Sequence, residues 1–136
     1  TNATLHTDGT LQASFSSLAD GSYYIVVKGS NVVQTWSATP QTLGIIPFNY
    51  DFTTAASKAY GNNMKQLSTG GWAFYSGDIN QDESVDNSAA DTLFIDIENS
   101  NFGQLATDLN GDGSVDNSDT DTFFINIENS IFSNHP

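Results

Sequence analysis

The sequence predicts a mixed β+α chain: a small antiparallel β-sandwich over residues 1–76, then two loop–helix units over residues 77–136. Three observations predict it. The first part carries short runs of aromatic and β-branched residues separated by turn signals. The second part repeats itself at a fixed offset of 30 residues. Nearly all the acidic residues lie in that repeat, where no basic residue accompanies them.

Taken in order, residues 11–18 alternate, with Leu11, Ala13 and Phe15 on one face of a strand. Asp20-Gly21 is a turn, and residues 22–28 form the next strand, rich in Tyr and Val. Gly29-Ser30-Asn31 turns the chain into a strand over 32–37, and Pro40 closes that region. Residues 48–53 and 64–67 are weaker strand candidates, and Gly70-Gly71 leads into a strand over 72–75. Five to seven short strands at this spacing predict an immunoglobulin-like or transthyretin-like sandwich.

The charge is divided. Residues 1–77 hold Asp8, Asp20 and Asp51 against Lys28, Lys58 and Lys65, whereas residues 78–136 hold 13 acids and no base. Such a segment is either unfolded or built around something positive. The apolar clusters Leu93-Phe94-Ile95 and Phe123-Phe124-Ile125 argue for folding. Lys and Arg are too few to neutralise phosphates, so nucleic acid is excluded as a partner. No apolar run approaches the ~20 residues of a membrane helix, so no direct membrane insertion is expected. The absence of cysteine removes disulfides, thiolate metal sites and thiol nucleophiles.

The repeat aligns DINQDESVDNSAADTLFIDIENSNF (78–102) with DLNGDGSVDNSDTDTFFINIENSIF (108–132), identical at 17 of 25 positions. Each copy opens with oxygen-bearing residues at alternate positions. In the second they are Asp108, Asn110, Asp112, Ser114 through its carbonyl, and Asp116, with Asp119 closing at position 12. Calcium is a hard cation that takes six to eight oxygens at ~2.3–2.6 Å, and a loop with donors at 1, 3, 5, 7, 9 and 12 wraps it. Gly113 stands at position 6, where the turn is sharp. Val115 at position 8 suits two loops pairing back to back. The first copy offers Asp78, Asn80, Asp82, the Ser84 carbonyl and Asp86. It has Glu83 at position 6 and Ala89 at position 12, so calcium is expected in both loops and more weakly in the first. Asn87-Ser88 and Asn117-Ser118 cap helices, Asp91 and Asp121 suit their first turns, and both helices should end near Asn99 and Asn129.

These duplicated loops, each followed by one helix, resemble the dockerin module of bacterial extracellular enzymes over residues 77–132. The resemblance implies two loop–helix units packed with near two-fold symmetry, docking onto a cohesin domain. Partner residues would be Asn87, Ser88, Phe94 and Ile95 in the first unit, and Asn117, Ser118, Phe124 and Ile125 in the second. Dockerins often carry Lys or Arg in mid-helix where this chain has Phe and Ile. Coverage of that apolar pair by the preceding domain is the expectation, with a different partner as the alternative. The stretch FSSLADGSYYIVVKGSNVVQTWSA is similar to prealbumin-like sandwiches of bacterial surface proteins, and the whole to C-terminal regions of secreted Bacteroidetes proteins. In those sandwiches another strand usually precedes this region, so residues 1–10 supply part of an edge or the edge is open.

No enzyme is expected. His6 and His135 are the only imidazoles and lie near the ends, and no nucleophile elbow, zinc helix or phosphate loop occurs. Three readings stay open: a calcium-dependent extracellular interaction module tethering a secreted or surface protein to a protein partner, a structural subunit that polymerises with copies of itself by strand donation, or a carbohydrate-binding module. The first asks least of the sequence. Trp36, Trp72, Tyr24 and Tyr60 are candidates for a sugar-stacking face, although core is the more ordinary place for them. A chelator is expected to loosen residues 78–136 before the sandwich. Asp108→Ala or Asp112→Ala is expected to do more harm than Asp78→Ala.

Overall fold

The computed structural model describes residues 3, 4, 6, 9–15 and 17–136. The chain is a mixed β/α protein. Short antiparallel strand pairs occupy the front, and two helices follow the two acidic loops.

The strands are β1 (Gly21–Tyr23), β2 (Val26–Val27), β3 (Thr35–Trp36), β4 (Gln41–Leu43), β5 (Lys65–Gln66) and β6 (Trp72–Ala73). They pair as β1 with β4, β2 with β3 and β5 with β6, all antiparallel. No sheet of more than two strands occurs among the described residues. The expected strand over 22–28 is split at Tyr24-Ile25, and its two pieces take different partners. Residues 32–37 serve three partners in turn: Val32 bridges Ser76, Thr35 and Trp36 pair with β2, and Ser37 bridges Ala59.

Two strand predictions fail. Leu11, Phe15 and Leu18 are exposed, and the described residues of 11–18 form no strand, because no layer covers their apolar face. Ser16 and part of residues 1–10 lie outside the described residues, so the edge-strand expectation does too. Residues 48–53 are irregular. Asp51 accepts hydrogen bonds from the Thr53 amide and hydroxyl at 2.8 and 2.7 Å, which turns the backbone. β4, which follows Pro40, was not foreseen, and neither were the 3₁₀ turns Ala56–Lys58 and Tyr60–Asn62.

The helices are α1 (Ala90–Glu98), entered through a 3₁₀ turn at Asn87–Ala89, and α2 (Asn117–Glu128). They stop one residue before Asn99 and Asn129, as the sequence predicts. Asp116 caps α2 and Asp86 caps the 3₁₀ turn that leads into α1, each accepting the amide two residues on. Asn87 and Ser88, with Asn117 and Ser118, follow the caps rather than forming them.

Two apolar clusters result. Phe52, Ala59 and Met64 anchor one, with Ile25, Val27, Tyr50, Trp72 and Phe74 around them. The other joins Val85, Ala89, Leu93, Leu109, Val115 and Phe123 from the repeat with Val33 from the front part. Val33 thus completes the core of the acidic half. Burying these side chains is the main favourable term in folding.

Leu93→Ala and Phe123→Ala should destabilise the chain by about 2–5 and 3–5 kcal/mol, since both side chains are fully buried. Ile45→Ala, at 95% exposure, should stay within about 0.5 kcal/mol. Urea midpoints of the three variants check this ordering.

Candidate metal centres

Each acidic loop folds by turning amides toward its own carboxylates. In loop 2 (108–119), Asp108 accepts from the Gly111 and Gly113 amides at 2.8 and 3.0 Å. The Asn110 side-chain oxygen accepts from the Asp112 amide, and Asp112 accepts from the Ser114 amide at 2.9 Å. In loop 1 (78–89), Asp78 accepts from the Asp82 and Glu83 amides, and Asp82 from the Ser84 amide. These bonds coil each loop around its first carboxylate, Asp78 in loop 1 and Asp108 in loop 2.

Positions 4 and 6 of each loop are left-handed. Gly111 and Gly113 take φ of 77° and 89°, and Gln81 and Glu83 take 61° and 76°. Glycine enters that region without a Cβ penalty. Two side-chain-bearing residues in loop 1 cost about 1–2 kcal/mol each. The expected turn strain at Glu83 is thus matched by a second strained residue at Gln81.

The loops also differ at their ends. Asp119 accepts from the Leu109 and Asn110 amides at 2.7 and 3.0 Å and from the Asp116 amide at 3.0 Å. It closes loop 2 and, with Asp116, forms a reciprocal cap on α2. A carboxylate has about four acceptor sites, so one on Asp119 Oδ2 remains. Ala89 can do none of this. That is why the equivalent turn of loop 1 is 3₁₀ and the α-helix starts only at Ala90.

Each loop also pairs with the segment that follows the other copy's helix, as an exchange. Ser114 bridges Phe102 and the Val115 amide donates to the Asn101 carbonyl, so loop 2 pairs with the segment after α1. Ser84 bridges Phe132 and the Val85 amide donates to the Ile131 carbonyl, so loop 1 pairs with the segment after α2. Val85 and Val115 are both buried in the shared core. Gly77 is needed beside Val85, because a Cβ there would lie 2.8 Å from its Cγ1.

The helices repeat this exchange in polar form. Asp96 of α1 accepts from the Thr107 hydroxyl at 2.6 Å, just before loop 2, and Asn126 of α2 donates to the Ser76 carbonyl at 2.7 Å, just before loop 1. Neither residue was singled out from the sequence. Their equivalence at the 30-residue offset was the available signal.

Charge compensation decides what the site can hold. Asp78, Asp108 and Asp119 are only 2%, 6% and 0% exposed. The one ion pair among the described residues is His135 Nε2 with Glu83 Oε2 at 3.7 Å, which involves none of them. Buried charges are ordinarily paired or bound to metal. Among the described residues no three acid, imidazole or thiol side chains form a ready-made metal cluster. By residue type each loop offers what calcium takes, carboxylate, amide and main-chain oxygens along one stretch, although its carboxylates are not gathered into a cluster. That set is present in both copies, so the residues fit calcium.

Burial pushes the Asp78 carboxyl above its ordinary value of 3.8, against the hydrogen bonds from Glu83 and Asp82. Desolvation also acts on Asp82, but hydrogen bonds from Asn80, Ser84 and Ser88 outweigh it and lower that group. Hydrogen bonds from Ser88 lower Asp86, and those from Ser118 lower Asp116.

The partner candidates divide by environment. Asn87, Ser88, Asn117 and Ser118 are exposed beside the loops. Phe94, Ile95, Phe124 and Ile125 are 42%, 56%, 38% and 52% exposed, so the front part does not cover them and the core expectation is corrected. Helical geometry explains this, since Leu93 and Phe123 occupy the inward stripe and the next residues point about 100° away. Phe94 and Phe124 meet across the two helices with ring centroids 6.4 Å apart. The aromatic candidates of the front part do not form a flat sugar platform. Tyr24 packs edge-on against Trp36 and Tyr60, while Trp72 lies in the Phe52 cluster.

Lowered carboxyls contribute stability above their unfolded value and lose it as pH falls through the folded one. The raised Asp78 contributes below its unfolded value and loses it as pH rises through the folded one. Four lowered groups, Asp51, Asp82, Asp86 and Asp116, oppose one raised group, so in chelator the chain should lose stability as pH falls below the ordinary 3.8. The double variant Asp86→Asn/Asp116→Asn keeps both caps but not the charges, and its urea midpoint should fall less steeply over that acid range.

Comparison with known proteins finds no matching family model, no matching curated protein and no matching solved structure.

Proposed function

We propose that this chain is a non-catalytic, calcium-stabilised interaction module of an extracellular or cell-surface protein. Its acidic half reads as a pair of dockerin-like units and its front half as a reduced β-sandwich. The observation that carries the calcium reading is the burial of Asp78, Asp108 and Asp119 without a cationic partner among the described residues. In loop 2 the ion would take oxygens from Asp108, Asn110, Asp112, Asp116 and the Ser114 main chain, with Asp119 closing the loop. In loop 1 it would take Asp78, Asn80, Asp82, Asp86 and the Ser84 main chain. When bound, calcium supplies positive charge; the protein supplies the coil that brings the oxygens together. Two such ions reduce the formal charge from −13 to −9.

The interaction part of the reading is supported by the quartet Phe94, Ile95, Phe124 and Ile125. Exposed apolar residues gathered on neighbouring helices mark partner surfaces more often than scattered ones do. The partner is a protein, cohesin-like or otherwise. Self-assembly by strand donation is the second reading. It is favoured by Ile45 and Ile46, which are 95% and 78% exposed beside β4, a strand paired on one side only among the described residues.

Calcium at 100 times its dissociation constant should stabilise each site by about 2.7 kcal/mol. Thermal melting with calcium and with chelator checks this, and an unchanged midpoint would remove calcium as a structural element. Chelation should loosen the Leu93–Phe123 cluster before the Phe52 cluster. Asp112→Ala should forfeit more of the calcium effect than Asp78→Ala, because loop 1 carries strained turns and lacks the closing acid.

Phe94→Asp with Phe124→Asp should leave the melting point within a few degrees and abolish partner capture. Unaltered capture would place the interface elsewhere. Sizing of the native chain separates the second reading, which requires large species that grow with concentration.

A further inference from the structure

The geometry points to Asn31, in the front half, as a positioning residue for both acidic loops. This rests on the calcium reading and extends it to a residue far from either loop in sequence. Asn31 lies in the turn between β2 and β3. Its side-chain Nδ2 donates to the Asp108 carbonyl at 3.0 Å, which fixes the first residue of loop 2. Its own carbonyl accepts from the Gly77 amide at 2.7 Å, which fixes the residue just before loop 1. One residue therefore ties together the entrances of two loops 30 positions apart.

The neighbours of Asn31 hold it in place. Val32 bridges Ser76, the Val33 amide donates to the Tyr75 carbonyl at 2.9 Å, and the Val33 side chain is fully buried in the repeat's core. On the far side, the Ser133 hydroxyl donates to the Gln34 carbonyl at 2.8 Å and the Ser133 amide to the Glu83 carbonyl at 2.7 Å. The segment 31–34 is thus a wedge in contact with the start of both loops and the end of the chain. Among the described residues, Asp108 is the one coordinating position that both accepts amides through its carboxylate and is held through its carbonyl by the front half. Releasing that carbonyl frees the peptide on which the first ligand of loop 2 is mounted. A ligand that is not held in place must be ordered on binding, and that ordering weakens affinity.

The test uses the full chain, native and as Asn31→Ala and Asn31→Asp, with Asn49→Ala as an exposed control. Asn31→Asp keeps the turn and the side-chain size but removes the Nδ2 donor, so it serves if the alanine variant folds poorly. The first readout is amide hydrogen exchange in chelator. Exchange at Gly111 and Gly113, whose amides point at Asp108, should rise in both Asn31 variants while Lys65 in β5 stays unchanged. The second is calorimetric titration with calcium alone. The Asn31 variants should bind loop 2 calcium roughly two- to tenfold more weakly, the worth of one hydrogen bond. Unchanged exchange at Gly111 and Gly113, a rise that Lys65 shares equally, or calcium affinity equal to that of the native chain would each overturn the positioning role. If the native chain takes up no calcium, the metal reading falls, and the exchange pattern alone decides the role of Asn31.

Discussion

Carboxylates buried without a counter-charge are the constraint on which the acidic half depends. Asp78, Asp108 and Asp119 are nearly or fully inaccessible, and residues 78–136 supply no lysine or arginine to meet them. Backbone amides do part of the work. They bend the loops into coils and hold the acids in place, as the bonds to Asp108 and Asp119 illustrate. Amide dipoles, however, do not neutralise a crowd of like charges. A divalent ion in each coil would, and the alternation of carboxylate, amide and main-chain oxygen along the loops suits a hard cation.

Around that constraint the two copies are built by exchange. Loop 1 pairs with the segment after α2 and loop 2 with the segment after α1. Asp96 and Asn126 anchor the approaches to loops 2 and 1, and Leu93 and Phe123 fill one core between the helices. Neither copy has a complete core of its own. The arrangement is symmetric except where the sequences differ: Asp119 against Ala89, and two glycines against Gln81 and Glu83. Each difference leaves loop 2 the less strained and better closed of the pair.

The acidic half was largely legible in the sequence because its information is local. Turn residues and helix ends are set by neighbours within a dozen positions, and duplication allowed each copy to check the other. What was not legible there is long-range. The inward or outward sense of Phe94 and Phe124 depends on which of two adjacent apolar residues the core selects. The place of Val33 in the repeat's core could not be read from a strand pattern. The front half was less legible throughout. Its strands are two or three residues long, and their partners are set by packing rather than by alternation. The segment 48–53 reads as a strand by composition, yet Asp51 turns it locally.

The most direct measurement is the number of calcium ions held per chain at equilibrium, by dialysis against calcium buffers at neutral pH. The account requires two, with the more weakly held one lost on Asp78→Ala and the tighter one on Asp108→Ala. A native chain that retains its fold at neutral pH with no calcium bound at millimolar free ion would contradict it.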